Sequence, residues 1–366
     1  MVEWKKLDTL LDFEQPTPYL VKSTEYDDTY ETPVLTAGQS LLLGYTNETD
    51  GIYKASKDNP TIIFDDFTTS FHWIDYNFKV KSSAMKMLRP KKDVNFRYVY
   101  YSMCGINFVP GGHQRHWISK YSQFEIPLPS LSDQNRIVGF LDSFTSSIEN
   151  LKKQIVERRK QYEHYRDQLL DLEGKDGVDM KKLGDICDTL SGFPFDSSQF
   201  SEEGIRLMRG MNIKRGYFDF SEDNNKYWNS PEGLEKYLLE ANDIIISMDG
   251  SLVGRSFCYL KEEHLPLLLV QRVARIRTKE NYKFVYYNIS KRFPDYVDKK
   301  KTAGAIPHIS MKDINGFIIP LPSKEEQSRI ASILDTFEAS ISNLEAQLKE
   351  REKQYEYYRN KLLTFD

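Results

Sequence analysis

Residues 124–170, FEIPLPSLSDQNRIVGFLDSFTSSIENLKKQIVERRKQYEHYRDQLL, return almost word for word at 317–363 as FIIPLPSKEEQSRIASILDTFEASISNLEAQLKEREKQYEYYRNKLL. At a constant offset of 193 and without gaps, 27 of the 47 positions are identical, so the chain carries an internal duplication. In both copies a proline-bearing IPLP, which forbids helix, precedes helix-start residues: Ser132 in the first, and Ser323 to Glu325 in the second.

An apolar ladder then climbs in steps of three and four. It runs Leu141, Phe144, Ile148, Leu151, Ile155, Tyr162, Tyr165, Leu169 in the first copy and Leu334, Phe337, Ile341, Leu344, Leu348, Tyr355, Tyr358, Leu362 in the second. One slot in each is taken by arginine, Arg158 and Arg351, placed to set an antiparallel register or to meet a carboxylate. A helix from Asp133 to Leu170, roughly 38 residues, would be about 57 Å long. Heptad spacing of this regularity favours two helices zipped on each other; two amphipathic helices packed separately on their own domains are the other arrangement.

The chain has 366 residues, 40% apolar and 13% aromatic, enough for two or more cores. The start, MVEWKKLDTLLDF, lacks an apolar run after its lysines, and Leu265–Val270 is too short to cross a bilayer, so no membrane association and a cytoplasmic location are expected. Cys104, Cys187 and Cys258 are widely spaced and odd in number, which suggests small buried side chains rather than disulfides or a zinc site.

The net charge of −4 argues against a uniformly basic binder, but it hides segregation. Residues 1–71 carry five Lys/Arg against thirteen Asp/Glu, and residues 72–121 nine against two. Residues 216–265 carry four against ten, and 272–301 ten against three. In both halves a basic block comes late, shortly before the IPLP, and marks the candidate anion-binding surface.

Between these landmarks, short strands are expected at 32–44, 61–64 and 71–88, a short helix at Arg97–Met103, and a buried strand at Asp243–Met248. The stretch Gly111-Gly112-His113-Gln114-Arg115-His116-Trp117 is a flexible basic loop, 171–179 (DLEGKDGVD) a linker, and TAGAIPHIS (302–310) a second loop. The expected fold class is therefore α+β: two α/β globules separated by two long helices that form an antiparallel coiled coil, with a pseudo-twofold internal repeat. The boundaries are 1–125 for the first globule, 126–172 for the first long-helix region, 173–318 for the second globule and 319–366 for the second long-helix region.

Signatures of catalysis are missing. Asn59-Pro60-Thr61 does not make the Pro-Pro-aromatic loop of a base methyltransferase, and neither G-x-G-x-x-G after a strand nor a triphosphate-cradling G-x-x-x-x-G-K-[ST] occurs. The six histidines have no metal-ligand spacing, and there is no nucleophile elbow. Pro294-Asp295 with Asp298-Lys299 resembles a nuclease carboxylate-lysine cluster at the wrong spacing. No catalytic residue and no metal site are assigned.

What remains is binding, since Arg and Lys neutralise phosphates while Arg, Asn, Gln and His read base edges. The candidate DNA contacts are Lys79, Lys81, Gln114, Arg115 and His116 in the first half, and Arg209, Lys214, Arg215, Gln271, Arg272 and His308 in the second. A coiled-coil scaffold that binds only protein is the competing class, and a nuclease the third.

Two variable globules, each followed by IPLP-x4-Q-x-R-I and a long helix, resemble the DNA specificity subunit of type I restriction-modification systems over the whole chain. The resemblance is carried by Ile126-Pro127-Leu128-Pro129 and Ile319-Pro320-Leu321-Pro322 with Gln134, Arg136, Gln327 and Arg329, and by SGFPFDSSQF, RGMNIKRG and DIIISMDGSLVGR. LTAGQSLLLGYTNETDGIY is a looser match, and the first globule lacks a clean counterpart of KKLGDICDTLSGFPF. The resemblance implies that each globule is a target recognition domain reading half of a split, asymmetric double-stranded DNA sequence, and that the helix pair sets the spacer. It also implies that the chain itself is non-catalytic and holds no cofactor. Two modification (methyltransferase) subunits would bring S-adenosylmethionine, and restriction subunits would use ATP and Mg.

Overall fold

The computed structural model describes residues 2–38, 40–91, 94–111, 114–300 and 307–365. The chain forms two compact units, residues 1–153 with 345–366, and residues 154–344, so each unit contains half of each long helix.

In the first unit, strand Glu3–Lys6 pairs antiparallel with Glu125–Leu128, setting Trp4 against Pro127. This two-stranded ladder tolerates a proline because the missing N–H falls at an edge. A one-turn helix, Leu7–Leu10, leads into Leu11–Glu14, the outer strand of an antiparallel sheet continued by Met85–Pro90, Thr61–Asp65 and Phe71–Ile74. A smaller sheet joins Leu42–Thr46, Thr32–Leu35 and Lys79–Val80.

The second unit repeats the plan. Asp179–Lys182 pairs with Ile318–Leu321, and Met180 faces Pro320. The one-turn helix Leu183–Ile186 leads into Cys187–Ser191, followed across the sheet by Val273–Thr278, Ile244–Ser247 and Phe257–Tyr259. The smaller sheet joins Tyr227–Trp228, Ile205–Met208 and Leu267–Leu269.

The N-terminal stretch does have a clean counterpart, contrary to the sequence expectation. Leu7 and Leu183 are both fully buried, and their N–H groups donate to the equivalent carbonyls of Phe124 (3.0 Å) and Phe317 (2.8 Å). Lys5-Lys6-Leu7 repeats as Lys181-Lys182-Leu183, but the match was hidden because the residues that follow differ and main-chain hydrogen bonds with one buried leucine carry it.

The long helices run over Leu131–Leu169 and Lys324–Leu363, 39 and 40 residues. Ser130 and Ser323 cap them, with Oγ accepting from the N–H of Asp133 and Glu326 at 3.2 Å in each case. The first helix therefore starts at Ser130 rather than Ser132. The repeated glutamine locks each start: Gln134 Nε2 donates to Pro129 O (2.9 Å) while its Oε1 accepts from Asn95 N (2.9 Å), and Gln327 does the same with Pro322 O (3.0 Å) and Asn281 N (3.1 Å).

Those two asparagines open helices Phe96–Met103 and Tyr282–Lys300, which lie on the long helices through matching polar contacts. Arg97 and the Tyr101 hydroxyl reach Asp142 in the first unit; Lys283 and the Tyr287 hydroxyl reach Asp335 in the second.

Within each unit the two long helices run antiparallel. In the first, Phe140 and Phe144 pack on Tyr358, Arg351 stacks over Phe144 at 5.4 Å, and Lys152 pairs with Glu352 at 3.0 Å. In the second, Arg158 stacks over Phe337 at 5.8 Å, Tyr165 packs on the same ring, and the Tyr162 hydroxyl donates to Glu338. The interrupting arginines thus meet aromatic faces of the opposite helix. Leu141, Phe144, Ile148, Ile155 and Leu334 are buried, whereas Leu151, Phe337, Ile341, Leu344 and Leu348 are half-buried. Among the described residues, no helix is long and apolar enough to cross a membrane.

Candidate nucleic-acid interface

Part of the late basic charge is paired with acids of the same unit, so the basic blocks are not a continuous free cationic face. Lys79 pairs with Glu48 (3.0 Å), Lys86 with Asp66 (2.9 Å) and Lys91 with Asp12 (3.4 Å). Arg272 pairs with Asp249 (3.0 Å), and Arg277 with Asp243 (2.7 Å) and Glu240 (2.6 Å). In each half the acidic stretch supplies partners to the basic stretch that follows it.

Two of the expected contacts are consequently removed from the interface. Lys79 is buried, with its ammonium held by Glu48 and by Asp50 O at 2.7 Å. Burial pushes the Glu48 carboxyl up, but the Ser23 N–H, the Lys79 ammonium and the Lys22 N–H together hold it below the usual carboxylate value. His116 is fully buried, its ring edge-on to Phe108 at 5.5 Å. A cation or imidazole sealed from solvent cannot touch DNA.

The other candidates gather where strands end. In the second unit Met248, just past strand Ile244–Ser247, donates its N–H to Arg272 O (2.9 Å) and accepts from Ile309 N (2.9 Å). These bonds hang both the Gln271–Arg272 turn and the segment carrying His308 on one residue. The turn is also gripped by Phe193, whose carbonyl accepts from Gln271 N at 2.8 Å. That approach explains the SGF phrase, because a Cβ on Gly192 would lie 2.1 Å from Val270 O.

Arg272 itself is a non-glycine residue at φ +63°, a strained conformation of the kind retained at functional sites. Arg209, Lys214, Gln271 and Arg272 line one open cleft of about 590 Å³ with Phe195 and Asp249. Arg215 is exposed beside it, on a smaller notch shared with Arg255.

The first unit uses the same main-chain scheme. Asp66, just past strand Thr61–Asp65, donates its N–H to Ala84 O (2.8 Å) and accepts from His116 N (2.8 Å). By this pattern Arg115 and His308 occupy equivalent positions, and Lys81, Gln114 and Arg115 are all exposed. Gly112 and His113, and residues 302–306 of the second loop, lie outside the described residues.

Sequence reasoning missed Asp66, Lys86 and Asp249, which organise these turns. Only the phrase DIIISMDG pointed toward one of them.

Other chemistry is taken up structurally. Asp298 forms a two-pronged pair with Arg255 (2.7 and 3.1 Å), which accounts for the nuclease-like spacing. Among the described residues no group of His, Cys, Asp and Glu is placed to hold a metal. Burial pushes the thiols of Cys104, Cys187 and Cys258 up to about 11, so they are neutral near pH 7.

Residues 1–158 and 175–353 match the family model described as the type I restriction modification DNA specificity domain. The chain is 40% identical over 390 residues to a type I restriction enzyme specificity subunit of Escherichia coli, covering 100% of this chain and 94% of that protein. It is 27% identical over 391 residues to a putative type I restriction enzyme specificity subunit of Haemophilus influenzae, covering 100% and 96%. Among solved structures, the S subunit of a type I restriction-modification system from M. genitalium shares the fold with a TM-score of 0.68 at 17% identity, over 100% of this chain and 97% of that one. The chain belongs to the family of type I restriction-modification specificity subunits.

Proposed function

We propose that this subunit binds a bipartite, asymmetric double-stranded DNA sequence. Its first globule reads one half-site and its second the other, and the paired long helices set the unread spacer. The observation that carries this reading is the repeated scheme at the strand ends. The same pair of main-chain bonds presents Arg115 in one unit and His308 in the other, so one scaffold offers two different base-reading chemistries. Arg209, Lys214, Arg215 and Lys81 supply phosphate contacts around these points.

The chain acts without catalysis of its own, within a cytoplasmic complex. Two modification subunits that bind S-adenosylmethionine and restriction subunits driven by ATP and Mg dock on the helix regions. Exposed Val156, Tyr165 and Tyr357 on those helices support such docking, as does an open groove of about 700 Å³ lined by Arg158, Tyr165, Leu169 and Phe337.

Methylation sequencing of cells with and without the chain tests the proposal: the expected result is a split motif with a fixed gap. A contiguous motif, or DNA affinity indifferent to sequence, refutes it. A scaffold that binds only protein would show no steep fall of DNA affinity with salt.

A further inference from the structure

The first recognition domain contains a buried ion pair that its repeat lacks. Asp66 and Lys86 are both buried, with Oδ2 and Nζ 2.9 Å apart, and Lys86 also donates to Gln15 Oε1 at 3.2 Å. Lys86 faces Phe64 across the sheet; in the second domain the same register sets Ala274 against Ile246. Asp66 and Met248 each lie two residues beyond that partner, so the second domain fills the two positions with Met248 and Ala274, which carry no charge.

A buried charge pair is costly where apolar residues would serve, so its presence asks for a task. The task is visible in the loop. Besides the shared bond from His116 N, Asp66 accepts a second one, from Trp117 N to Oδ1 at 2.8 Å. The equivalent N–H in the second domain belongs to Ser310, and it donates to the side chain of Asp313 (3.1 Å) within its own helix cap. Both domains therefore give this N–H a carboxylate. The first takes it from the sheet, at the price of burying an acid that Lys86 must neutralise.

We infer that Asp66 and Lys86 are positioning residues for the first half-site: they hold Trp117, and through it fix where Gln114 and Arg115 meet DNA. The inference rests on the half-site reading proposed above. Trp117 is itself buried, 5.0 Å from the Phe64 ring, so its backbone is the fixed end of the loop and the two exposed residues are the presented end.

The test uses the full chain expressed with its modification subunits, read by methylation sequencing beside the unfolding temperature of the purified chain. The double variant Asp66→Met/Lys86→Ala installs the second domain's residues. It keeps the bond from His116 N to the residue 66 carbonyl and removes the one from Trp117 N. Expected is a melting temperature near that of the wild type and a roughly tenfold rise in methylation of sites that deviate in the first half-site, with the second half-site and the spacer unchanged. Lys86→Arg, which keeps the pair, is expected to retain full discrimination.

An unaltered first half-site in a folded double variant overturns the inference, as does loosening of both half-sites together. If the double variant does not fold, Asp66→Leu/Lys86→Met, which likewise removes the acceptor for Trp117 N and leaves no unpaired buried charge, is read by the same criteria. A wild-type chain without a split motif is a different failure, because it removes the half-site reading and this inference with it.

Discussion

The two recognition domains hold the turns at their strand ends by the same main-chain bonds but stabilise them differently. In the second domain the Gln271–Arg272 turn is clamped by the close pass of Gly192 and Phe193, and the next segment caps its own helix at Ser310. In the first, Asp66 reaches from the sheet into the loop and Lys86 neutralises it. The backbone scheme is thus the fixed part and the side chains the variable part. A domain of this kind can change what it reads without changing how its strands pair, because β-ladder bonds use no side-chain atoms.

The sharpest test of that equivalence lies at the helix starts. Gln134→Ala and Gln327→Ala each strand buried main-chain partners, so each is expected to destabilise its unit by about 1–3 kcal/mol in urea unfolding. The second loss should be the larger, since Gln327 also bonds Glu280 at 2.9 Å. A negligible cost in one copy alone would break the comparison.

A difference should appear eleven residues further along each helix. Where the first unit has Thr145 beside Tyr101, the second has Glu338 accepting from Tyr162 and Tyr287. Burial raises the Glu338 carboxyl above its ordinary value, against the pull of the two hydroxyls. A carboxyl with a raised pKa in the folded state binds its proton more tightly there. Its contribution is therefore full below the ordinary carboxylate pKa and is lost as pH rises through the folded value. Glu338→Gln should flatten that decline, measured as unfolding midpoint between pH 4 and pH 8, while Thr145→Ser leaves the profile unchanged.

The smallest effect is expected in the seam. Arg158→Leu and Arg351→Leu each remove one stacking on a facing phenylalanine, worth about 0.5–1 kcal/mol, and the two should match. Unequal losses in thermal unfolding would show that the halves of the helix pair are not energetically alike.

How far the sequence could be read depended on the range of the interactions involved. The heptad ladder, the IPLP strands and the serine caps came within a few residues of their observed places, because each signal lies within a few positions of its effect. Lys79 and His116 were misjudged as contacts because the groups that bury them, Glu48, Asp50, Asp66 and Phe108, are distant in sequence or are not charged residues. The acid-then-base order of each half looked like an exposed surface. Part of it proved to be internal pairing, such as Asp66 with Lys86 and Asp243 with Arg277.

By itself, then, the sequence determined the duplication, the two long helices and their apolar seams, since periodicity and capping act locally along the chain. Only the tertiary structure decided which of the candidate cations reach solvent, and that Arg115 and His308 stand at equivalent points. Burial of a charge and the fate of a backbone N–H depend on partners that folding alone brings together.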